Sequence, residues 1–323
     1  MADLSRRSFF GLGLGAGAAF AASPLLAAAK LDGPVSKADS PLFKTVAFRP
    51  LAVKVGAEKP FRAVHCSDSH VAIMSVNDLI GGTDRDERLY LDRLVEMKDG
   101  LPTLAACVLK ARREKLPLFH TGDLYDYECE ATHFIARDAF DGLGRFLYVP
   151  GNHEYHGHWG PGITPKEFPA ARARLEKDTG IPVSVASLVV NGVNFVSVDN
   201  GGLSYGAERE QFAAVKKEFA KGLPVVLLCH FPLVTDTLYR DLLKGDGIAK
   251  GHRPVPERTM PYMLWGLRDA DKPLVEWLKR QPQLKAVLCG HLHMELTCPV
   301  TDALTQYVAG ATYHGNAYEI AFS

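Results

Sequence analysis

Five short apolar runs in this chain each end beside residues of the types that bind metal ions. The runs are residues 61–67, 116–121, 145–150, 224–229 and 284–289, and they lead respectively to Asp68 and His70, to Asp123, to Asn152 and His153, to His230, and to His291 and His293. Runs of this length that are rich in Val, Leu and Phe are typical of buried strands. In open α/β sheets, functional groups lie just beyond the carboxyl ends of the strands. The pattern therefore predicts that five strand ends bring carboxylate, imidazole and amide groups together.

Helical patterns separate most of these runs. Helices are predicted over 86–98, 102–115, 130–140, 166–177, 206–221 and 272–280, and further strands over 45–55, 183–190, 193–199, 293–300, 304–309 and 317–322. Asn191-Gly192 predicts a tight hairpin turn between two of these strands. Residues 75–85 and 155–167 are expected to form loops. This α/β alternation with extra antiparallel strands predicts a four-layer α-β-β-α sandwich, in which two mixed sheets are flanked by helices.

A long insertion over residues 235–271 follows directly after His230. Connections of this length are usually functional or disordered. We expect the insertion to act as a cap beside the site. Two interpretations of its His252, Arg253 and Arg258 stay open: they meet a phosphate group, or they are ordinary solvated charges.

The composition and charge restrict the class of partner. The 323 residues are 47% hydrophobic and 23% charged, which is ordinary for a globular protein and fits one large domain or two small ones. The formal net charge is zero, so nothing predicts a general electrostatic attraction to nucleic acid or to anionic membranes. We therefore expect no stable nucleic-acid binding, while a nucleotide substrate stays open, because a metal site can bind phosphate locally.

The N-terminus resembles a twin-arginine (Tat) export signal. Arg6-Arg7 is followed by Phe9-Phe10 and by an uncharged stretch, rich in Gly and Ala, that ends with Ala29. We expect cleavage after Ala29, a linker over 30–44, a single domain over 45–323, and no membrane span after cleavage. The Tat export machinery is then a partner, and the protein is periplasmic or otherwise exported. The alternative is an uncleaved anchor, because residues 9–29 are long enough to cross a bilayer.

The six cysteines do not predict a disulfide framework. Cys66, Cys229 and Cys289 lie inside apolar runs, where a buried free thiol is the expected state. No spacing among the six matches a zinc finger.

Five sequence blocks occur in an order that resembles the signature of the calcineurin-like metallophosphoesterases. They are Asp68-x-His70, Gly122-Asp123-x-x-Asp126, Gly151-Asn152-His153-Glu154, the lone His230 after a strand, and Gly290-His291-x-His293. One block alone would be weak evidence, whereas the ordered set spans residues 68–293.

The resemblance implies a binuclear site with assigned ligands. One metal ion takes Asp68, His70, Asp123 and His293, and the second takes Asp123, Asn152, His230 and His291, so that Asp123 bridges the two. Such ligands suit Mn, Fe or Zn. The resemblance also implies attack on phosphorus by a hydroxide held between the two metals. His153 would stabilise the transition state or protonate the leaving oxygen, and Asp126 would orient His153.

Several of these residues also have purely structural interpretations. Asp68 and Asp123 could cap helices, Asn152 could be a turn residue, and Asp126 could occupy a surface or helix-terminal position. His65 and His120 lie within strands and are expected to be core residues. His156, His158 and Trp159 follow the catalytic block and either line the pocket or lie on a surface loop.

The finer resemblance is to the branch that contains the class III cyclic-nucleotide phosphodiesterases. It is carried by Val149–Glu154, His230-Phe-Pro and Cys289–His293, whereas Tyr127 replaces the arginine found in protein Ser/Thr phosphatases. We expect an exported metal-dependent enzyme that hydrolyses phosphomonoesters or phosphodiesters. Two alternatives remain: a metal-binding envelope interaction protein without turnover, and a nuclease of the same superfamily.

Overall fold

Two mixed β-sheets face each other through the apolar side chains of their strands. The computed structural model describes residues 41–80, 84–155, 164, 166–202 and 208–323. The first sheet has the order β1 (Ala47–Val53), β11 (Asn316–Phe322), β2 (Phe61–Cys66), β3 (Leu118–His120) and β4 (Phe146–Tyr148). The second has the order β5 (Ala186–Val190), β6 (Val193–Ser197), β7 (Val225–Leu228), β8 (Leu284–Cys289), β10 (Leu304–Val308) and β9 (Leu296–Thr301). The predicted pair of mixed sheets is confirmed.

Helices cover the outer faces of both sheets. The helices of the described residues are α1 (Val76–Ile80), α2 (Asp84–Glu96), α3 (Gly100–Glu114), α4 (Glu130–Phe140), α5 (Phe168–Thr179), α6 (Glu208–Phe219), α7 (Asp236–Lys244) and α8 (Lys272–Lys279). Helix α3 packs on β2 and β3, while Val215 of α6, Leu238 of α7 and Leu274 of α8 join the core on the outer face of the second sheet. The four layers of the predicted sandwich are therefore present.

Aromatic rings fill much of the space between the two sheets. Phe119 of β3 stacks on Phe195 of β6 with ring centroids 4.5 Å apart, and Phe195 meets Phe322 of β11 edge-on at 5.2 Å. All three side chains are fully buried. Burial of each such ring contributes about 1.5–3 kcal/mol relative to exposure. This shared core holds the two sheets in a fixed position against each other.

The strand directions bring the predicted site segments to one edge of each sheet. β2, β3 and β4 run parallel to one another in the first sheet, and β7 runs parallel to β8 in the second. The loops beyond their carboxyl ends bond to each other, as in Asp68 N to Gly122 O at 2.8 Å and Gly290 N to His230 O at 3.0 Å. The expected convergence of five strand ends therefore follows from the parallel pairing.

The Asn191-Gly192 hairpin is confirmed. Both residues adopt the left-handed conformation, with φ of 46° and 78°, between the antiparallel strands β5 and β6. This conformation matches the right-handed twist of the two strands, which is why Asn and Gly are favoured there.

One local expectation was wrong. Residues 75–85 do not form a continuous loop, because α1 begins after Ser75, whose backbone N–H and hydroxyl both donate to Asp78 Oδ2 at 2.8 Å. Residues 41–45 form a 3₁₀ turn that packs against α3. The strand expected near residues 293–300 is present as β9, Leu296–Thr301.

The insertion over 235–271 is folded. Thr235 caps α7 by accepting a hydrogen bond from Leu238 N at 3.1 Å, and Trp265 is fully buried beside a β-bridge to Leu233. The apolar residues of the insertion join the core of the second sheet, so the insertion is a packed element and not a disordered loop.

Two sequence-based expectations lie outside the described residues. These are the export signal over 1–29 and the loop residues His156, His158 and Trp159. Within the part of the chain that the structure describes, no helix has both the length and the apolar character needed to cross a bilayer.

Candidate metal centre

The predicted ligand residues converge in two overlapping groups. Asp68, His70, Asp123 and His293 each place one ligand atom within 4.8 Å of the others, and so do Asp123, His230 and His291. Asn152 joins the second group, because its Oδ1 lies 3.2 Å from His230 Nε2. Asp123 belongs to both groups, as expected for a carboxylate shared between two ions.

Backbone strain is concentrated at these residues. Asp68, His70, Asp123, His291 and His293 all have positive φ, between 43° and 72°. Only two other non-glycine residues of the described chain, Lys115 and Asn191, have positive φ. The left-handed conformation costs an ordinary residue roughly 1–2 kcal/mol, and such strain persists where the surrounding structure enforces it for function. The fold therefore maintains an unfavourable backbone in order to aim these side chains.

Three of the histidines are anchored by acceptors that carry no hydrogen. His70 Nδ1 lies 3.0 Å from Asp126 Oδ1, and His230 Nδ1 lies 2.8 Å from the Thr121 carbonyl. His291 uses its other nitrogen, because Nε2 lies 3.0 Å from the Tyr262 carbonyl. Each anchoring nitrogen must therefore donate. In a neutral ring, the remaining nitrogen then presents a lone pair.

The remaining nitrogens of these three rings, together with His293 Nε2, form two close pairs. His230 Nε2 lies 3.3 Å from His291 Nδ1, and His70 Nε2 lies 3.1 Å from His293 Nε2. Because two facing lone pairs repel each other, each pair of nitrogens must share either a proton or a metal ion at these distances. The residues present therefore fit a pair of metal ions, since imidazole nitrogens and carboxylate oxygens are the donors that Mn, Fe and Zn accept.

The charges of the site also favour a cation. Burial alone would lower the pKa of His230, but the Asp123 carboxylate raises that pKa to about 9. Burial and the charge on His230 lower the pKa of His291 to about 3. The site thus prefers a single positive charge between these two rings, which a metal ion supplies.

Both central carboxylates are ionised at neutral pH. Burial would raise the pKa of Asp68, yet its hydrogen bond to His293 and the nearby histidine charges hold it well below its usual value. The pKa of Asp123 is lowered in the same way, mainly by His230. Asp68 also accepts a hydrogen bond from the His291 backbone N–H at 3.0 Å, and a Cβ on Gly290 would overlap it. This contact joins the two sheets at the site.

Asp126 contacts both His70 and His153. Its Oδ1 lies 3.0 Å from His70 Nδ1 and 3.5 Å from His153 Nδ1, while its backbone carbonyl accepts from His153 Nδ1 at 2.7 Å. Arg93 donates to both carboxylate oxygens, at 2.7 and 2.6 Å. Burial would raise the pKa of Asp126, but the hydrogen bonds from Arg93 and His70 lower it. The Asp126 side chain is therefore directed mainly at His70 and Arg93.

Glu154 holds the loop that carries Asp123. Its carboxylate accepts hydrogen bonds from the backbone N–H groups of Gly151, Asp123 and Leu124 at 2.6, 3.0 and 2.7 Å. Gly151 packs so closely that an added Cβ would overlap the Asp123 carboxylate. Glu154 was part of a recognised sequence block, but the sequence did not indicate this role.

Other contacts at the site were also missed. Tyr313 places its hydroxyl 3.2 Å from His293 Nδ1, Tyr262 offers its carbonyl to His291, and Arg93 binds Asp126. Tyr313 and Arg93 lie outside the recognised blocks, and any residue type can offer a backbone carbonyl. No local signal in the sequence could have identified these three.

The two strand histidines are buried, as expected. His120 lies 2.9 Å from the Ser69 hydroxyl, and burial lowers the pKa of both rings to about 3. His65 bonds the Thr121 hydroxyl at 2.9 Å, but its Nδ1 has no partner among the described residues. The six cysteines are all free thiols in buried positions.

A sequence model of the calcineurin-like phosphoesterases matches residues 61–295, whereas no curated protein matches the chain.

Three solved structures are similar at low identity. A dimetal phosphatase from Danio rerio is 13% identical, covers 79% of this chain and 88% of its own, and has a TM-score of 0.42. A putative 5'-nucleotidase from Staphylococcus aureus is 10% identical over 79% of this chain and 49% of its own, with a TM-score of 0.36. A calcineurin-like phosphoesterase from Bacillus subtilis is 11% identical over 79% of this chain and 82% of its own, with a TM-score of 0.38.

The assignment depends on the sequence match, which extends from the first residue of β2 to just beyond His293 and so includes every candidate ligand. The chain belongs to the calcineurin-like phosphoesterase family and is a metal-dependent phosphoester hydrolase.

Proposed function

We propose that this enzyme is exported and hydrolyses small phosphoesters at a binuclear metal site. One metal ion, Mn, Fe or Zn, would be held by Asp68, His70, Asp123 and His293. The second would be held by Asp123, Asn152, His230 and His291. Two pairs of imidazole nitrogens carry this proposal: they face each other at 3.1 and 3.3 Å, and each pair lies beside a buried carboxylate.

Metals held there would supply Lewis acidity and would lower the pKa of water to about 7. The protein's own residues orient the ligands and the substrate. Asp126 fixes the ring of His70, and the Thr121 carbonyl fixes the ring of His230. Anchoring of this kind keeps each ligand nitrogen aimed, so that it can bind a metal once the ring is neutral. The strained loops then hold the same geometry before the substrate arrives.

His153 is the proposed proton donor to the leaving oxygen. Its Nδ1 donates to the Asp126 carbonyl at 2.7 Å, which leaves Nε2 to carry the proton that is transferred. The His153 ring packs edge-on against His70 at 4.6 Å, and its side chain is 21% exposed. It is thus held beside the candidate metal ligands and is open to a substrate entering from solvent. General acid catalysis of this type contributes about 10²–10⁴-fold in rate.

Turnover of a matched pair of chromogenic esters tests the proposal. Protein lacking residues 1–29 is reconstituted with Mn, Fe or Zn, its metal content is measured, and hydrolysis of p-nitrophenyl phosphate and bis(p-nitrophenyl) phosphate is compared. We expect activity to depend on about two metals per chain. The preferred ester distinguishes a phosphomonoesterase from a phosphodiesterase. A preference for the diester would favour the proposed branch near the class III cyclic-nucleotide phosphodiesterases. Two bound metals without turnover of either ester would favour the non-catalytic alternative.

Export through the Tat pathway is supported by Arg6-Arg7 and the Gly/Ala-rich stretch that ends with Ala29. Replacing both Arg6 and Arg7 with Lys keeps the charge but removes the twin-arginine signal. We expect the variant to remain in the cytoplasm, measured by cell fractionation, whereas Lys30→Arg serves as a control that is exported normally. Unchanged export of the double variant would contradict this assignment.

A further inference from the structure

A cavity adjoins the last pair of candidate ligands. It has a volume of about 310 Å³ and is lined by residues 251–253 of the insertion and by residues 291–294. His291 and His293 belong to the metal centre, so the cavity extends from the proposed site of hydrolysis to the insertion. Its volume falls within the range of small-ligand pockets and exceeds what one phosphoryl group requires. The leaving group of a phosphoester therefore has a place to bind.

The wall formed by the insertion is held in place on both sides. His252 N donates to the Ala249 carbonyl at 3.0 Å, and Val255 N donates to the Leu242 carbonyl at 2.9 Å. The insertion also reaches the metal centre directly, through the Tyr262 carbonyl and His291 Nε2 at 3.0 Å. The backbone that carries Arg253 is thus positioned before any substrate binds.

Arg253 is the cationic residue of this wall. Its side chain is exposed and forms no hydrogen bond or ion pair with any residue the structure describes. Its backbone carbonyl accepts a hydrogen bond from His252 Nδ1 at 2.7 Å. No carboxylate is found among the residues that line the cavity within the described chain. A guanidinium with five unused N–H donors in such a place is suited to a carboxylate or a phosphate.

We propose that Arg253 binds a second anionic group, a carboxylate or a phosphate, on the leaving group of the substrate. The enzyme then prefers phosphoesters that carry such a group over esters with a neutral leaving group. Leu292 and Met294 lie in the same lining and contact the body of the leaving group between the two anions. This inference rests on the proposed function, because it assumes that the scissile phosphate lies at His291 and His293.

Binding of non-hydrolysable phosphonates tests Arg253 without relying on turnover. Calorimetry compares phenylphosphonate, 4-phosphonobenzoate and 1,4-phenylenediphosphonate on the metal-reconstituted enzyme. We expect the two doubly functional probes to bind more tightly than phenylphosphonate, and the better of the two identifies carboxylate or phosphate as the second anion. Arg253→Gln should weaken only these two probes, by about 3- to 10-fold, since the ion pair is partly exposed to solvent. Arg253→Lys should restore part of the loss.

Arg258→Gln is the matched control. Arg258 is also an exposed arginine of the insertion, but it does not line the cavity, so its removal changes net charge without removing the proposed contact. We expect it to leave all three affinities unchanged. Equal weakening of all three probes by Arg253→Gln would overturn the proposal, because Arg253 would then contact the scissile phosphoryl group. Equal binding of the three probes to the native enzyme, or no binding of any, would overturn it too.

Chromogenic turnover measured in parallel separates this inference from the proposed function. Turnover without any effect of Arg253→Gln on the two doubly functional probes overturns the anion site and leaves the hydrolase intact. Selective binding of the doubly functional probes without turnover supports the anion site and contradicts the proposed catalytic role.

Discussion

Replacing Arg93 with Gln tests whether a buried ion pair supports the metal centre. Arg93 donates to both oxygens of Asp126, at 2.7 and 2.6 Å, and the Asp126 side chain is fully buried while that of Arg93 is 17% exposed. These hydrogen bonds help to lower the pKa of Asp126, which is therefore ionised at neutral pH. The Gln variant leaves that charge buried, with His70 as its main remaining partner.

The expected loss can be worked from this geometry. Removing one partner of a fully buried ion pair costs about 3–5 kcal/mol. Arg93 keeps some contact with solvent and His70 still binds Asp126, so we expect a loss of about 2–3 kcal/mol in the free energy of unfolding. Because Asp126 also orients His70, we expect metal affinity to fall about 10- to 100-fold.

Urea unfolding of metal-free protein measures the first effect, and competition with a chromogenic chelator measures the second. Arg174→Gln is the control, because Arg174 pairs with Glu128 through two hydrogen bonds at 2.5 and 2.8 Å but is 48% exposed. Pairs of that kind contribute about 0–1 kcal/mol. The reasoning is refuted if Arg93→Gln is no more destabilising than Arg174→Gln and leaves metal affinity unchanged.

Three further predictions concern the site itself. His153→Ala should retain both metals by elemental analysis and lose about 10²–10⁴-fold in kcat, so unchanged turnover would remove its assigned role. Asp123→Asn should lose at least one metal, and full occupancy in the variant would exclude the bridge. Metal affinity should rise with pH up to about 9, because only neutral His230 binds a metal and its pKa is raised to about 9 by Asp123. Calorimetry in buffers of different ionisation enthalpy should therefore detect proton release at pH 7–8, and its absence would contradict this protonation state.

The fold was predictable where a local pattern has a single structural solution. Short apolar runs separated by helices predict parallel strands, and parallel strands bring their carboxyl ends to one edge, so Asp68, Asp123 and His230 were expected to meet. The hairpin at Asn191-Gly192 was equally determined by backbone preference. The helix at Val76–Ile80 was missed because its start depends on one side-chain contact between Ser75 and Asp78.

The contacts that refine the site were not predictable. The resemblance assigned Asp126 to orient His153, whereas its carboxylate lies closer to His70 and to Arg93. Arg93 lies 33 residues before Asp126, inside an ordinary helical pattern. The insertion was expected to act as a cap beside the site, but nothing in its sequence indicated that it would offer the Tyr262 carbonyl to His291. Each of these contacts joins segments distant in the chain, so no local pattern encodes it.

The sequence by itself determined which chemical groups are present and the order in which strands deliver them, because strand periodicity and turn preference act over a few neighbouring residues. Only the tertiary structure decided which ring nitrogen of each histidine is free, which carboxylate each ring meets, and which wall of the cavity carries Arg253. Those outcomes depend on the packing of two sheets and an insertion against each other. There, hydrogen-bond direction and burial are set by atoms far apart in the chain.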